Sequence, residues 1–404
     1  MKILHISYSD KAGGGASIAA LRLHKGFLNR GYISNFWCIK KITNDNSIFR
    51  IYNFFGSKFN SLKNKLNQLF FKIIDNNLTQ SYSLNVWPSR IAKKINTSDF
   101  NIVILHWINA ETMSCRDIAN IRKPVIWVFH DLWPIHGIKH YDQSEYLNDN
   151  LIIQKFELLL KQYKLKRWNK FNPYIVTVGT WLKNEIESSV FFNNSKISVI
   201  PNTLDLKKFE PKEKIQSKKV FNIPVDKKMI LFGAYDMKDK RKGGDLLQNA
   251  LKNLDVNLRN SIVVVSFGNG CLDISDFHYI NLGVIDNQNK LASLYSSADI
   301  MCVPSRQETF GQTASEALAC GIPVVAFKTT GLIDIVEHKK TGYLAKAFDS
   351  KDFSNGIEWI LSQTKIPLKL LSRKRAENHF NDRKIIDEYI KIFDNVKIYN
   401  EVID

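Results

Sequence analysis

The stretch Pro304-Ser-Arg-Gln-Glu308-Thr-Phe-Gly311-Gln-Thr-Ala-Ser-Glu316-Ala-Leu-Ala-Cys-Gly321-Ile-Pro323 decides how this chain folds. Just before it, Asp299-Ile-Met-Cys-Val303 is short and apolar, as expected of a strand buried on both faces of a parallel sheet, and Pro304 closes it. Thr313 to Cys320 then has helical spacing and is stopped by Gly321 and Pro323. In open α/β sheets, ligands bind outside the carboxyl ends of the strands, where helix N-termini turn unpaired N–H groups and a positive dipole end outward. An anion such as phosphate suits that place. Two carboxylates frame the turn. Glu316 either completes a capping box with Thr313, reaching back to the helix start, or binds a ligand. Glu308 sits on the loop with no local structural duty, as a solvated surface group or a ligand contact.

Similar strand and helix signals run along the whole chain. Candidate strands in the first half are Ile3–Tyr8, Asn35–Ile39, Ile102–His106, Val125–Phe129, Tyr174–Val178 and Ile197–Ile200. The polar, lysine-rich segment 201–219 reads as an interdomain linker. The alternation restarts with strands at Met229–Phe232, Ile262–Phe267, Tyr279–Leu282, Ile300–Val303 and Val324–Phe327, with helices near Gly244–Leu254 and Asn287–Ser296 between them. Two successive βα arrays predict an α/β chain of two doubly wound, Rossmann-like domains facing across a cleft. The expected boundaries are 1–205 and 206–380, with an amphipathic helix over about 381–404 packing back on the first domain. A length of 404 residues also favours two domains over one core.

Composition narrows the class. The five cysteines form no CxxC pair, which speaks against a zinc cluster or a disulfide framework and fits a reducing cytosol. The first residues read as a strand rather than a leader, and no run reaches the apolar length of a membrane span. The expectation is a cytoplasmic protein, soluble or peripheral on the inner face of the cell membrane. A net charge of +18 is unevenly spread. Lys58–Ile74 holds four lysines and no acid, with Leu62, Leu66, Leu69 and Ile73 at helical spacing. Lys161–Phe171 interleaves five cations with Tyr163, Trp168 and Phe171. Each segment is either an apolar stripe turned to the core beside solvated lysines, or a surface for anionic lipid headgroups. Nucleic acid is not an expected partner, since no recognition motif accompanies the charge.

Three further sites carry candidate chemistry. Gly13-Gly14-Gly15 opens a helix after the first strand, letting a backbone approach an anionic ligand; it is not a GxGxxG fingerprint, and no acidic residue ends the second strand, which weakens a nicotinamide-binding reading. His130-Asp131 follows the strand Val125–Phe129, so His130 sits at a strand's carboxyl end, as a structural histidine or as a donor to a sugar hydroxyl or phosphate able to change charge near neutrality. Lys240-Arg241-Lys242-Gly243-Gly244 clusters cations before a helix start, as a departing diphosphate requires, or as a solvated run.

Taken in order, Gly13–Gly15, His130-Asp131, Pro201-Asn202 with Asp205, Lys242-Gly243, Glu308 to Glu316 and Gly321-Ile-Pro-Val-Val resemble the retaining glycosyltransferases of family 4 (group 1), over nearly the whole chain. Asp131-Leu-Trp-Pro and His140-Tyr141 are similar to a subgroup that builds bacterial surface polysaccharides such as capsule, O-antigen or exopolysaccharide. The resemblance implies the GT-B architecture and a nucleotide diphosphate sugar donor, a UDP- or GDP-sugar, with no cofactor. The acceptor it implies is a glycan or an undecaprenyl-diphosphate-linked acceptor. It implies that Glu316 holds the ribose hydroxyls, and that Glu308 with backbone from Phe310, Gly311, Gln312 and Thr313 holds the donor sugar and distal phosphate. Lys242 would neutralise the diphosphate, Gly14 and Gly15 would let it approach, and His130 would touch the transferred sugar. It also implies no catalytic metal, basic side chains and helix dipoles taking its place. Such enzymes usually carry an arginine after the glycine that ends the second domain's first strand; here Gly233 is followed by Ala234, so either Arg241 stands in or donor affinity is lower. Alternatives on the same architecture are a catalytically silent sugar-binding or membrane scaffold protein and a sugar-nucleotide epimerase.

Overall fold

A computed structural model describes residues 1–11, 14–74, 82–142 and 150–401. The chain divides into two compact units, Met1–Asn202 with Ile385–Asp404, and Thr203–Lys384. The first unit's strands are β1 (Lys2–Ser9), β2 (Ile33–Lys40), β3 (Ile48–Arg50), β4 (Ile102–Leu105), β5 (Val125–Phe129), β6 (Tyr174–Thr177) and β7 (Ile197–Val199). They form one parallel sheet in the order β3-β2-β1-β4-β5-β6-β7. The second unit contains β8 (Lys228–Asp236), β9 (Ile262–Asn269), β10 (Tyr279–Asn281), β11 (Ile300–Val303), β12 (Val324–Phe327) and β13 (Gly342–Ala345). Its sheet is also parallel, in the order β10-β9-β8-β11-β12-β13. Both orders reverse direction beside the unit's first strand, between β1 and β4 and between β8 and β11. Those reversals are where doubly wound sheets open a crevice at their carboxyl edge.

The sequence explains the sheets' centres. β4, β5, β11 and β12 are buried at every position, so continuous apolar runs replace alternation. Each fully buried Ile, Val or Leu there contributes roughly 1.5–3 kcal/mol. Two edge strands escaped the sequence reading. β3 spans three residues with only Ile48 buried, and β13 begins with a glycine, so neither shows a strand pattern.

One sequence expectation needs correction, and one of two open readings drops out. Segment 201–219 is not a free linker. From Thr203 it belongs to the second unit, where Leu204 bridges Asn381, the buried Phe209 ring lies tilted 6.3 Å from that of Tyr295, and Arg373 donates to the Phe209 carbonyl at 2.7 Å. The apolar stripe of helix Phe54–Ile74 does not face the core. Leu62, Leu66, Leu69 and Ile73 are 49–74% exposed, while Asn60 and Asn67 turn inward, and Asn67 donates to Glu111 at 2.7 Å. In Lys161–Phe171 the aromatic residues do pack inward: Trp168 and Phe171 are core residues, Tyr163 is partly buried against them, and Lys164 is buried. That segment therefore offers no aromatic surface. Among the described residues, no helix is long and apolar enough to cross a membrane.

Candidate functional site

In the second unit, two loops leave the adjacent strands β8 and β11 on either side of the reversal in strand order. The first loop tightens into a 3₁₀ turn, Lys240–Lys242, before helix Gly244–Lys252. Asp239 starts that turn by accepting from the Arg241 N–H at 2.9 Å. Gly243 ends it in the left-handed region at φ 69°, where a Cβ would lie 1.9 Å from the Pro304 carbonyl oxygen. Only glycine allows both the angle and that approach. The two loops are then tied together. The Arg306 N–H donates to the Arg241 carbonyl at 2.8 Å, and its guanidinium grips Asp245 and the Lys240 carbonyl.

That frame brings Lys242 and Glu308 into an ion pair at 2.5 Å, with Arg241 Nη1 3.9 Å from the other Glu308 oxygen. Ser305 donates to Glu308 at 3.0 Å, and the Glu308 N–H donates to Thr330 Oγ1 at 3.0 Å. Burial would raise the Glu308 carboxyl, but Lys242 and Arg241 hold it below the usual carboxylate range. Burial and the like charge of Arg241 lower the Lys242 ammonium, against the pull of Glu308. The result is a partly desolvated cluster of two cations and two carboxylates, since the Arg241 guanidinium also pairs with Asp239 at 2.9 Å. An incoming diphosphate would find both cations at hand, with Glu308 as a hydrogen-bond acceptor for sugar hydroxyls.

Helix Gln312–Ala319 begins at Gly311, whose φ of 92° is left-handed, and its start lacks a side-chain cap. The capping-box reading of Thr313 and Glu316 is thus not realised: the helix begins one residue earlier and its cap position is a glycine. Glu316 is buried instead, its Oε2 accepting from the Tyr295 hydroxyl at 3.0 Å. Phe310 packs edge-on against Phe380. Thr330, Tyr295 and Arg306 were not singled out by the sequence, because their partners Glu308, Glu316 and Asp245 lie more than twenty residues away, and Ser305 was missed although its partner Glu308 is only three residues on.

The first unit carries the remaining candidates. Gly14 adopts φ 75°, ψ −157°, a conformation reserved for glycine, with open space where a Cβ would stand, and Gly15 starts helix Gly15–Asn29. Gly13 lies outside the described residues. His130 follows β5 and is half-buried, its Nε2 3.3 Å from His106 Nδ1. Burial pushes its pKa down to about 4, so it stays neutral near pH 7 instead of changing charge there. Asp131 has a structural task. Its carboxylate accepts from Trp107 Nε1 at 2.7 Å and from the Trp133 N–H at 3.0 Å, and meets His140 Nδ1 at 2.6 Å. Lys164 supports the same loop, donating to the carbonyls of Trp133 (2.6 Å) and His136 (2.8 Å) above the Trp133 ring.

Two parallel-sheet, Rossmann-like units with a cationic cluster at a strand-order reversal define a GT-B type α/β chain. Residues 213–378, within the second unit, match the family described as Glycosyl transferases group 1. Over 200 residues the chain is 29% identical to an uncharacterised glycosyltransferase of Methanocaldococcus jannaschii, covering 46% of this chain and 50% of that protein. Over 183 residues it is 30% identical to D-inositol 3-phosphate glycosyltransferase 2 of Catenulispora acidiphila, covering 41% and 42%. The chain thus matches about half the length of these curated relatives. Sucrose-phosphate synthase from Thermosynechococcus elongatus has a similar fold, with a TM-score of 0.70 at 17% identity over 99% of this chain and 100% of that one. So does Anabaena HepE in complex with UDP and glucose, with a TM-score of 0.63 at 16% identity over 98% and 99%.

Proposed function

We propose that this protein is a retaining glycosyltransferase that moves a sugar from a nucleotide diphosphate sugar to a hydroxyl of an acceptor glycan, one carried on a lipid diphosphate during bacterial surface-polysaccharide synthesis. The observation that carries the reading is the Lys242–Glu308 pair with Arg241 beside it, at the β8–β11 reversal and within the matched family segment. On this reading Lys242 and Arg241 draw off the negative charge that grows on the leaving diphosphate, without a divalent ion. Arg241 stands in for the arginine that Ala234 replaces. Glu308 and the backbone of Phe310, Gly311, Gln312 and Thr313 hold the donor sugar and distal phosphate, and Glu316 binds the ribose. Gly14 and Gly15 admit the diphosphate, and His130 contacts the transferred sugar.

The acceptor oxygen forms its bond to the anomeric carbon on the face the diphosphate leaves. The carbon–oxygen bond to phosphate breaks, and the departing phosphate oxygen takes the acceptor proton. Incubating the purified protein with a panel of UDP- and GDP-sugars and following nucleoside diphosphate release tests this. Release with one donor, lost in Lys242→Ala and Glu316→Gln, is expected. No release with any donor, with nucleotide still bound, would favour a silent sugar-binding protein instead.

We further propose that helix Phe54–Ile74 rests on an anionic membrane surface, where a lipid-carried acceptor would be met. Its outward apolar row runs beside exposed Lys58, Lys65 and Lys72, and the helix has no acidic residue. Phe70 meets Phe156 at 5.3 Å, and the helix that carries Phe156, Leu151–Trp168, also exposes Leu158 and Leu159. Apolar insertion flanked by lysines fits an interfacial helix.

A further inference from the structure

Four histidines of the first unit form a contiguous row, of which the proposed chemistry uses only the last. His24 lies between Ser34 Oγ at 2.7 Å and Ser47 Oγ at 2.9 Å, with its ring at 71° to that of His5. His5, on β1, and His106, just after β4, lie nearly parallel at 11°, with His5 Nδ1 3.0 Å from His106 Nε2. The other His106 nitrogen, Nδ1, is 3.3 Å from Nε2 of His130, just after β5. The row therefore crosses the reversal between β1 and β4 and ends at the carboxyl end of β5. His5 and His106 are buried, and His5 Nε2 has no hydrogen-bond partner among the described residues.

Proton counting restricts this row. Burial first, and then neighbouring histidines, hold His5 and His106 well below the ordinary histidine pKa. His130 is lowered by burial, against the opposing pull of Asp131, whose carboxylate is engaged by Trp107, Trp133 and His140. Each ring in the row is neutral near pH 7, with one N–H and one lone pair. Because His106 takes part in both bonds, the two must run in the same direction. If they ran inward, from His130 toward His5, the His5 proton would lie on Nε2 as a buried N–H without a partner. If they run outward, Nε2 is a bare acceptor, and orphaned buried N–H groups are the rarer of the two defects.

We propose that His5 and His106 are positioning residues that fix His130 as its Nδ1–H tautomer, so that His130 meets the transferred sugar as a hydrogen-bond donor and carries no proton at Nε2. The contact with sugar rests on the function proposed above; the tautomer does not. The arrangement follows a general pattern, in which the partner of one imidazole nitrogen decides what the other can do.

Two-bond proton–nitrogen correlation spectra of the ¹⁵N-labelled full chain at pH 7 read the tautomer directly, with the His130 signals identified by their loss in His130→Gln. The expected spectrum has His130 protonated at Nδ1 and bare at Nε2. His106→Asn, whose amide N–H replaces the Nδ1 donor, keeps that pattern, whereas His106→Leu shifts the ring toward Nε2–H. A wild-type His130 protonated at Nε2, or charged, overturns the proposal, as does an unchanged tautomer in His106→Leu. The wild-type spectrum decides even where the leucine variant does not fold. Turnover is read separately with the nucleotide-sugar panel, where His106→Leu should lower kcat about tenfold and His106→Asn much less. Absent turnover with every donor would sink the functional reading and leave the tautomer standing.

Discussion

Lys242 Nζ and Glu308 Oε1 meet at 2.5 Å across 66 positions of chain, joining the loop after β8 to the loop after β11. One contact therefore serves two ends: it closes the second unit's reversal point and stores the charges that a diphosphate would recruit.

Separating the partners should expose that double role. Removing one member of a buried pair costs roughly 3–5 kcal/mol because the other is left unpaired, and residual solvent contact places this pair at the lower end. Lys242→Met and Glu308→Gln should each lower the unfolding midpoint in urea, and the double variant should regain part of the loss. Nucleotide release should fall about 10²–10³-fold in Lys242→Met and should not recover in the double variant. Recovery of release would detach the pair from donor chemistry.

Tyr295→Phe deletes the hydroxyl that Glu316 accepts from at 3.0 Å. A stability loss of about 1 kcal/mol is expected from one such hydrogen bond. If Glu316 grips the ribose, nucleoside diphosphate affinity should weaken up to about tenfold by calorimetric titration, since the carboxylate loses one of its anchors. Unchanged affinity would argue against that assignment.

Lys164 makes stability depend on pH in a defined direction. Burial pushes its ammonium down to about 7 in the folded chain, against an ordinary value of 10.5. Between those values the unfolded chain binds the proton more tightly, so this residue's contribution to folding improves as pH rises and worsens as pH falls toward 7. Urea titrations from pH 7 to 9 should give a slope on the order of 1 kcal/mol per pH unit more positive for wild type than for Lys164→Met. Parallel slopes would show that the lysine stays charged against its carbonyl partners.

Gly243→Ala should be severe. The new Cβ would press on the Pro304 carbonyl, a backbone atom that cannot swing aside, in a residue already held at φ 69°. A loss above about 2 kcal/mol is expected from strain and overlap together. A neutral result in thermal unfolding would mean that the two loops are not clamped as described.

The outward row of helix Phe54–Ile74 gives a membrane test. Vesicles containing phosphatidylglycerol should sediment the wild-type chain, while Lys58→Glu, Lys65→Glu and Lys72→Glu combined should weaken binding by roughly 1 kcal/mol per lysine lost. Unchanged sedimentation would remove the lysines from the interaction.

Legibility in the sequence followed the range of the interactions involved. Strands such as Ile300–Val303 and the Glu308 turn were readable because burial on both faces and turn chemistry are written locally. Helix Phe54–Ile74 was readable as a helix but not in its orientation: Asn60 and Asn67 lie inward because they find partners in the Ala110-Glu111 segment. Glu316 was ambiguous for the same reason. Its spacing from Thr313 signals a cap, whereas Tyr295, from a different helix, sets its contact. The histidine row could not be seen at all, since His5, His24, His106 and His130 come from four separate elements.

The second unit, Thr203–Lys384, is inserted within the first, whose last segment begins at Ile385. Phe393 stacks on Phe27 at 5.5 Å, and Ile386 closes against Gly26. Synthesis on the ribosome consequently runs against the order of the units: the second has all its strands before the first receives the helix that seals its core. A nascent first unit must wait with Phe27 uncovered through nearly two hundred residues of elongation, an interval in which chaperone binding or aggregation competes with completion.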